Sequence, residues 1–314
     1  MPAVIADRRC VRCESTPALL PSVPSFESPA AGDDGPAADG LAARFGAVTY
    51  LNSKPLIEDL AELIAPAPLT LDYPSHLAAD LAAGQLEVAL VPSFSALQSL
   101  VAGRGRLLSD ACVAARGPVR SVKLLCRRRP GEIRTLALDE GSRTSAALAQ
   151  LVLRERFGVT PQLQPFGLKS HTADCDADAI VMIGDRAMFP PADASGFVET
   201  HDLGALWKTW TGLPFVFAVW ATRLEAVPAE WVSALETARN RGVARIDAIA
   251  EREADATGVT ASDGAGYLRH NLHFTLGPAE RAGLELFAEL AAAAGLLPHA
   301  PPLQSAEIAT AAGV

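Results

Sequence analysis

The chain is short of the features that mark several large functional classes. Cysteine is scarce and scattered, with Cys10, Cys13, Cys112, Cys126 and Cys175 the only five in 314 residues. Cys10 and Cys13 form one CxxC, but no second CxxC and no nearby histidine pair completes a zinc site. An odd number of dispersed thiols suits reduced, structural cysteines in a cytosolic protein. Long hydrophobic runs are missing too. The longest, LPFVFAVWA, falls far below the ~20 residues that a membrane helix needs. Positive charge is outweighed, 27 Lys and Arg against 36 Asp and Glu for a net −9, which argues against a nucleic-acid binder with its basic face. No apolar segment follows the N-terminal arginines, so no secretory signal is expected. The expectation is a cytoplasmic protein that engages neither nucleic acid nor membrane.

Familiar catalytic and cofactor motifs are equally absent. No G-x-G-x-x-G follows a strand, no G-x-x-x-x-G-K-[ST] occurs and no H-E-x-x-H appears, which disfavours dinucleotide, P-loop and zinc-protease chemistry. No G-x-S-x-G elbow marks an α/β-hydrolase. The six histidines supply one close pair, His270 and His273 in YLRHNLHFTL, without a carboxylate at ligand spacing. Neither a metal nor a cofactor is expected.

What is present is a long, apolar chain, 49% hydrophobic and 20% charged, enough for two lobes. Residues 1–43 stand apart: ESTPALLPSVPSFESPAAGDDGPAADG is rich in Pro, Ala, Ser, Gly and Asp and reads as a disordered leader. From Phe45 onward strand and helix signals alternate, as in an α/β fold with mostly parallel sheets.

Five junctions repeat one design. AVTYL runs into NSKP and the helix PLIEDLAELI; LTLDY into PS and HLAADLAAG; LEVALV into PS and FSALQSLV; RTLAL into DEGSRTS and AALAQLVLRERFG; AIVMI into GDRAM. Each places a polar cluster where a strand's carboxyl end meets a helix start, the region in which open α/β sheets hold ligands. Helix starts carry free N–H groups and partial positive charge, so they suit anions. The plainer account is capping, for which Ser75, Ser93, Ser142 and Asp185 are good residues and Pro55 a good first-turn residue.

Two long strands, SVKLLCRR and PFVFAVWATR, bracket a βαβ-like block and read as crossovers between lobes. The expected division is lobe 1 over 44–124, an inserted lobe 2 over 125–215, a return to lobe 1 over 216–300 and a tail over 301–314. A single long helix is expected over AEWVSALETARNRGVARIDAIAEREA, and a final one over PAERAGLELFAELAAAAGLL, with Pro278 at its start and Gly295 near its end. The cleft so formed is rich in neutral donors (Asn52, Ser75, Ser93, Ser142, Thr144, Ser145). Arg143 and Lys54 are candidates to meet carboxylates, and Asp139, Glu140 and Asp185 are the only acids at the junctions. That inventory suits a small polyoxygenated acid. Trp207, Trp210, Phe215 and Phe217 fit either a cleft wall or core packing.

Several segments together, VTYLNSKPL, YPSHLAADLAAGQLEVALVPS, LALDEGSRTSAALAQLVLRERFG, DAIVMIGDRAM, LWKTWTGLPFVFAVWATR and YLRHNLHFTLGPAERAGLELF, resemble the chorismate dehydratase family of the futalosine route to menaquinone. The likeness spans about residues 44–297. The dihydroxynaphthoate synthases of the same route carry a different turn after the first strand, which NSKP does not match. The resemblance implies a two-lobed, periplasmic-binding-protein-like (type II) α/β fold with the ligand between the lobes. It implies removal of water from chorismate, with no cofactor and a small-molecule partner; a homodimer is compatible with it. Asn52 and Ser93 are then candidates to act on the departing hydroxyl, and Ser53, Ser75, Ser142, Arg143, Thr144, Ser145 and Asp185 to bind the substrate. The alternative is a non-catalytic small-anion-binding protein of the same fold.

Overall fold

The computed structural model describes residues 43–303 apart from residue 192. The expected leader, the Cys10/Cys13 pair and most of the expected tail lie outside the described residues. Eleven strands run in chain order as β1 (Phe45–Val48), β2 (Leu69–Asp72), β3 (Val88–Pro92), β4 (Arg106–Ala115), β5 (Val122–Cys126), β6 (Thr135–Asp139), β7 (Gln162–Phe166), β8 (Ala179–Ile183), β9 (Glu199–Asp202), β10 (Phe215–Thr222) and β11 (His273–Thr275). Among the described residues nine α-helices accompany them: α1 (Leu60–Leu63), α2 (Pro74–Ala82), α3 (Ser93–Val101), α4 (Arg143–Phe157), α5 (Leu203–Thr211), α6 (Ala229–Ala244), α7 (Ile246–Thr257), α8 (Ala261–His270) and α9 (Pro278–Ala293).

The strands form two sheets, in the orders β11-β4-β10-β3-β1-β2 and β7-β6-β8-β5-β9. Each contains a parallel trio, β2-β1-β3 and β7-β6-β8, to which the remaining strands add antiparallel. Every residue of β1, β3 and β10 is buried, as expected of strands covered on both faces. Trp207, Trp220, Phe45, Phe94, Phe215 and Phe287 are among the largest side chains fully removed from water. Each contributes roughly 1.5–3 kcal/mol or more by that burial. Trp207 stacks edge-on against Trp210, Phe215 and Phe287, so of the four expected aromatics it is a core residue rather than a cleft wall.

The two long strands are not themselves crossovers. β5 lies wholly within the second sheet and β10 in the middle of the first, so the chain passes between sheets through residues 116–121 and 203–214. The first passage is pinned by Asp202, whose carboxylate accepts from the Val119 and Arg120 N–H groups at 2.9 and 2.7 Å and pairs with Lys123 Nζ at 2.9 Å. The same carboxylate caps α5 through Ala205 N–H.

Two helices depart from the sequence pattern. Over PLIEDLAELI the chain forms a 3-10 turn, Leu51–Leu56, and only then the single-turn α1. Asp59, left-handed at φ 57°, breaks the helix between them. Its carboxylate is drawn to Arg241 and Arg245, and Glu58 to Arg245 and Arg252; these ion pairs lie across helical phases that no one-dimensional pattern displays. The expected single helix over 229–254 is two, α6 and α7, separated at Arg245 (φ −113°, ψ 23°). The break turns α7 so that Glu253 meets Lys54, Nζ to Oε2 3.0 Å.

Candidate active site

Between the two lobes lies a cleft with about 490 Å³ of empty space, part of it open to solvent. One side is the NSKP turn. Asn52 and Ser53 line it, with Val48 and Tyr50 behind them. The Ser142–Ser145 start of α4 and Ile183–Gly184 at the end of β8 form the facing wall. Ser121, at the end of the crossover, and Phe217, on β10, close the back.

The NSKP turn is held from three directions. Ser53 Oγ bonds the Val48 and Tyr50 carbonyls, the latter at 2.8 Å, so its hydroxyl proton is committed to the turn. Lys54 is drawn away from the cleft by Glu253. Asn52 is left at the apex. Its side chain lies beside the hydroxyl of Tyr267, a fully buried residue of α8, and that hydroxyl donates to Ser121 Oγ at 2.7 Å. Burial above all drives the Tyr267 pKa upward, against the pull of these two neighbours, so the phenol stays protonated and serves as a fixed donor.

Opposite, Ser142 caps α4 as its sequence position predicts, its Oγ accepting from Ser145 N at 3.3 Å and from Ser145 Oγ at 3.2 Å. Both serines line the cleft. They present a hydroxyl pair and a helix start, the combination that favours a carboxylate.

Other expected site residues take different places. Ser93, expected as a catalytic residue, is fully buried at the start of α3, and its hydroxyl donates to the Val216 carbonyl of β10 at 2.7 Å. Thr144 Oγ1 accepts from Phe94 N–H at 2.9 Å, capping α3 from the other lobe. Asp185 is not the cap of its own turn. Its carboxylate accepts from Leu51 N–H at 3.2 and 3.3 Å, capping the NSKP turn from across the cleft. The polar clusters at these junctions thus cap one another between lobes. Ser75 sits half-buried in the first turn of α2 beside Pro74, which alone of the pair lines the cleft. The Arg143 side chain lies in a separate hollow.

The electrostatics of the walls are uneven. Burial lifts Asp185 from 3.8 to about 6, against the Leu51 N–H bond and the charge of Lys54. Asp139 is also raised by burial, but Arg186 Nη2 lies 2.5 Å from it and Gly141 and Ile183 N–H groups bond it as well. Its oxygens are fully engaged. Tyr50, which does line the cleft, is pushed upward by burial and by the Asp139 charge. No acid, lysine, arginine or histidine is among the cleft-lining residues. Among the described residues no group of three His, Cys, Asp or Glu side chains could hold a metal, and no helix is long and apolar enough to cross a membrane. His273 faces Arg116 and Glu280 rather than His270.

Sequence reasoning passed over Tyr50, Ser121, Gly184 and Tyr267. Tyr50 and Gly184 adjoin quoted junctions. Tyr267 shows no signal of its own, since a tyrosine on the apolar face of a helix reads as core.

Residues 43–293 match the menaquinone biosynthesis family. A chorismate dehydratase from Thermus thermophilus is 37% identical over 248 residues, covering 73% of this chain and 86% of that protein. Among solved structures, a protein from Archaeoglobus fulgidus superposes with a TM-score of 0.63 at 14% identity, covering 81% of this chain and 98% of its own. The periplasmic aliphatic sulphonate binding protein of Escherichia coli does so with a TM-score of 0.58 at 14% identity, covering 83% and 90%. The structural likenesses show the periplasmic-binding-protein-like fold, and the sequence matches show the family: the chain belongs to the menaquinone biosynthesis family.

Proposed function

We propose that this protein is a chorismate dehydratase, a carbon–oxygen lyase that converts chorismate to 3-[(1-carboxyvinyl)oxy]benzoate and water. The family membership and the 37% identical relative support the substrate and reaction. One observation carries the mechanism: the residues that line the cleft bear hydroxyls, an amide and apolar groups, and no carboxylate, imidazole or amine is among them.

The proton acceptor therefore comes with the substrate. The enolpyruvyl carboxylate takes the proton from C3, the C3–H electrons become the new ring double bond, and the C4–O bond breaks. Hydroxide and that proton leave as water. Aromatisation supplies the driving force, so the protein need only hold the carboxylate against C3–H and stabilise the departing oxygen. Ser142, Ser145 and the start of α4 hold carboxylate; Asn52, beside the Tyr267 hydroxyl, donates to the C4 oxygen. Positioning of this kind removes entropy from the barrier, and fixed dipoles aimed at developing charge stabilise it without reorganisation. The apolar wall of Val48, Leu90, Val113 and Phe217 strengthens both effects by lowering the local dielectric.

Incubation of the purified protein with chorismate alone tests the reading. Mass spectrometry should find a product lighter by one water, and Asn52→Ala should lose turnover while retaining chorismate binding. Binding by the unaltered protein without turnover would favour a non-catalytic anion-binding role.

A further inference from the structure

A second hollow, unconnected with the chemistry above, lies between α2 and α3 with about 820 Å³ of empty space, partly open to solvent. Its polar lining is Arg104, Arg143, Arg223, Ser95, Gln98 and Ser99. Arg104 follows α3 and Arg223 follows β10, both in the first lobe, whereas Arg143 is the first residue of α4, which follows a strand of the second sheet. Three guanidinium-bearing side chains thus meet from three elements and both lobes.

No acidic residue lines this hollow. Among the described residues none of the three arginines forms an ion pair, while Arg44, Arg116 and Arg186 each do. Three arginines without ion pairs that line one hollow repel one another unless an anion joins them. Arg143 is itself largely desolvated, which lowers its pKa and signals an environment that resists an uncompensated charge. A second observation is independent of charge. Ser95, only 7% exposed, lines the same hollow, and its hydroxyl has no hydrogen-bond partner. Buried hydroxyls are nearly always satisfied, so this one points to a missing acceptor.

We propose that the hollow is a second binding site, for a small oxyanion of the phosphate or carboxylate class, held by Arg104, Arg143 and Arg223 with Ser95 as a neutral donor. Guanidinium forks match both oxyanions in bidentate geometry. An anion there would join the two lobes, since Arg143 belongs to one and its partners to the other. It would also sit next to Ser142, the residue before Arg143 and part of the cleft wall.

Titration calorimetry of the full-length protein with inorganic phosphate, at ionic strength held constant with chloride, tests the site. Saturable binding of one phosphate is expected, weakened at least tenfold in Arg104→Gln and in Arg223→Gln, weakened in Ser95→Ala, and unchanged in Arg129→Gln, an exposed arginine elsewhere. Arg104 is exposed, so its substitution leaves the fold intact. A parallel titration with benzoate assigns the source: the tighter of the two arginine-dependent ligands defines whether the site takes phosphate or carboxylate. Absence of saturable binding by either anion, or binding that Arg104→Gln and Arg223→Gln leave unchanged, would overturn the proposal, as would phosphate binding that chorismate displaces competitively.

Discussion

The hydroxyl of Tyr267 donates to Ser121 Oγ at 2.7 Å and lies beside the side chain of Asn52. One buried phenol on α8 thereby stands against two polar groups that line the cleft. It touches no cleft space itself, so its role is to position. Tyr267→Phe keeps the ring and its packing and removes only that donor. Stability should fall by about 1 kcal/mol, the usual net worth of a buried hydrogen bond. The kinetic effect should be larger, because a reacting group displaced by an ångström costs on the order of 100-fold. The expected signature is a kcat reduced roughly 10- to 100-fold with KM nearly unchanged. Equal kcat in the variant and the unaltered enzyme would remove Tyr267 from the mechanism.

Tyr50 of the first lobe packs against Gly184 of the second at the cleft. Gly184 has φ 75°, and a Cβ there would lie 2.7 Å from the Tyr50 ring. Gly184→Ala therefore meets two penalties: a backbone at φ 75°, ψ −163°, open essentially to glycine alone and costing ~1–3 kcal/mol, and an aromatic ring that must be expelled. The ring lines the cleft, so the substitution should raise KM for chorismate by tenfold or more. A crystal structure should show Tyr50 swung away. A variant with unchanged KM would show that the ring has room the structure does not display.

Asp185 gives the pH dependence a definite sign. Its pKa is about 6 in the folded protein against an ordinary 3.8, burial being the cause. Between those values the folded protein holds a proton that the unfolded chain has released. The contribution of Asp185 to stability is thus greatest below pH 3.8 and is lost as pH rises through about 6. Two pH units at ~1.4 kcal/mol each bound the cost of the ionised form at roughly 3 kcal/mol. Asp185→Asn retains an oxygen for Leu51 N–H without the charge. The variant should be more stable than the parent above pH 6, and the gain should shrink to nothing near pH 4, measured by urea unfolding across the range. It should also keep turnover, since the substrate supplies the base. Abolished turnover with intact chorismate binding would make Asp185 the base and end the substrate-assisted scheme.

The α/β fold and the strands of the five junctions were legible because each rests on local signals, whereas β4, β7, β9 and β11 were not. β3, β6 and β8 are short apolar runs ending in Ser-, Asp- or Gly-bearing turns, and those turns are where the cleft lies. What the residues at the turns do was far less legible. Ser93, Thr144 and Asp185 have the chemistry of ligand donors, yet Ser93 is spent on β10, and Thr144 and Asp185 on capping the opposite lobe. Those partners are 123, 50 and 134 residues distant in sequence. No pattern along the chain reports such pairings. Ser142 shows the contrast: its partner Ser145 is three residues away, and its role was readable from the sequence.

The turn that carries Asn52 depends on a helix contact that can be tested by one methyl group. Gly242 of α6 lies against Pro55, so that an added Cβ would sit 2.1 Å from the Pro55 carbonyl oxygen and 2.5 Å from its Cα. Those are backbone atoms of the 3-10 turn and cannot rotate aside. Alanine is the better helix former by about 1 kcal/mol, but overpacking typically costs ~1–3 kcal/mol, and here the contact is with rigid backbone. The clash should win. Gly242→Ala is expected to lower stability by about 1–2 kcal/mol and to reduce kcat as well, because the turn must move and Asn52 moves with it. Gly266 of α8 supplies the opposite case, since a Cβ there meets nothing within 4 Å. Gly266→Ala should raise stability by ~0.5–1 kcal/mol and leave kcat unchanged. Thermal melts and chorismate turnover of the two variants check both signs. If Gly242→Ala melted no lower than the parent and turned over chorismate at the same rate, α6 would not be what seats the Asn52 turn.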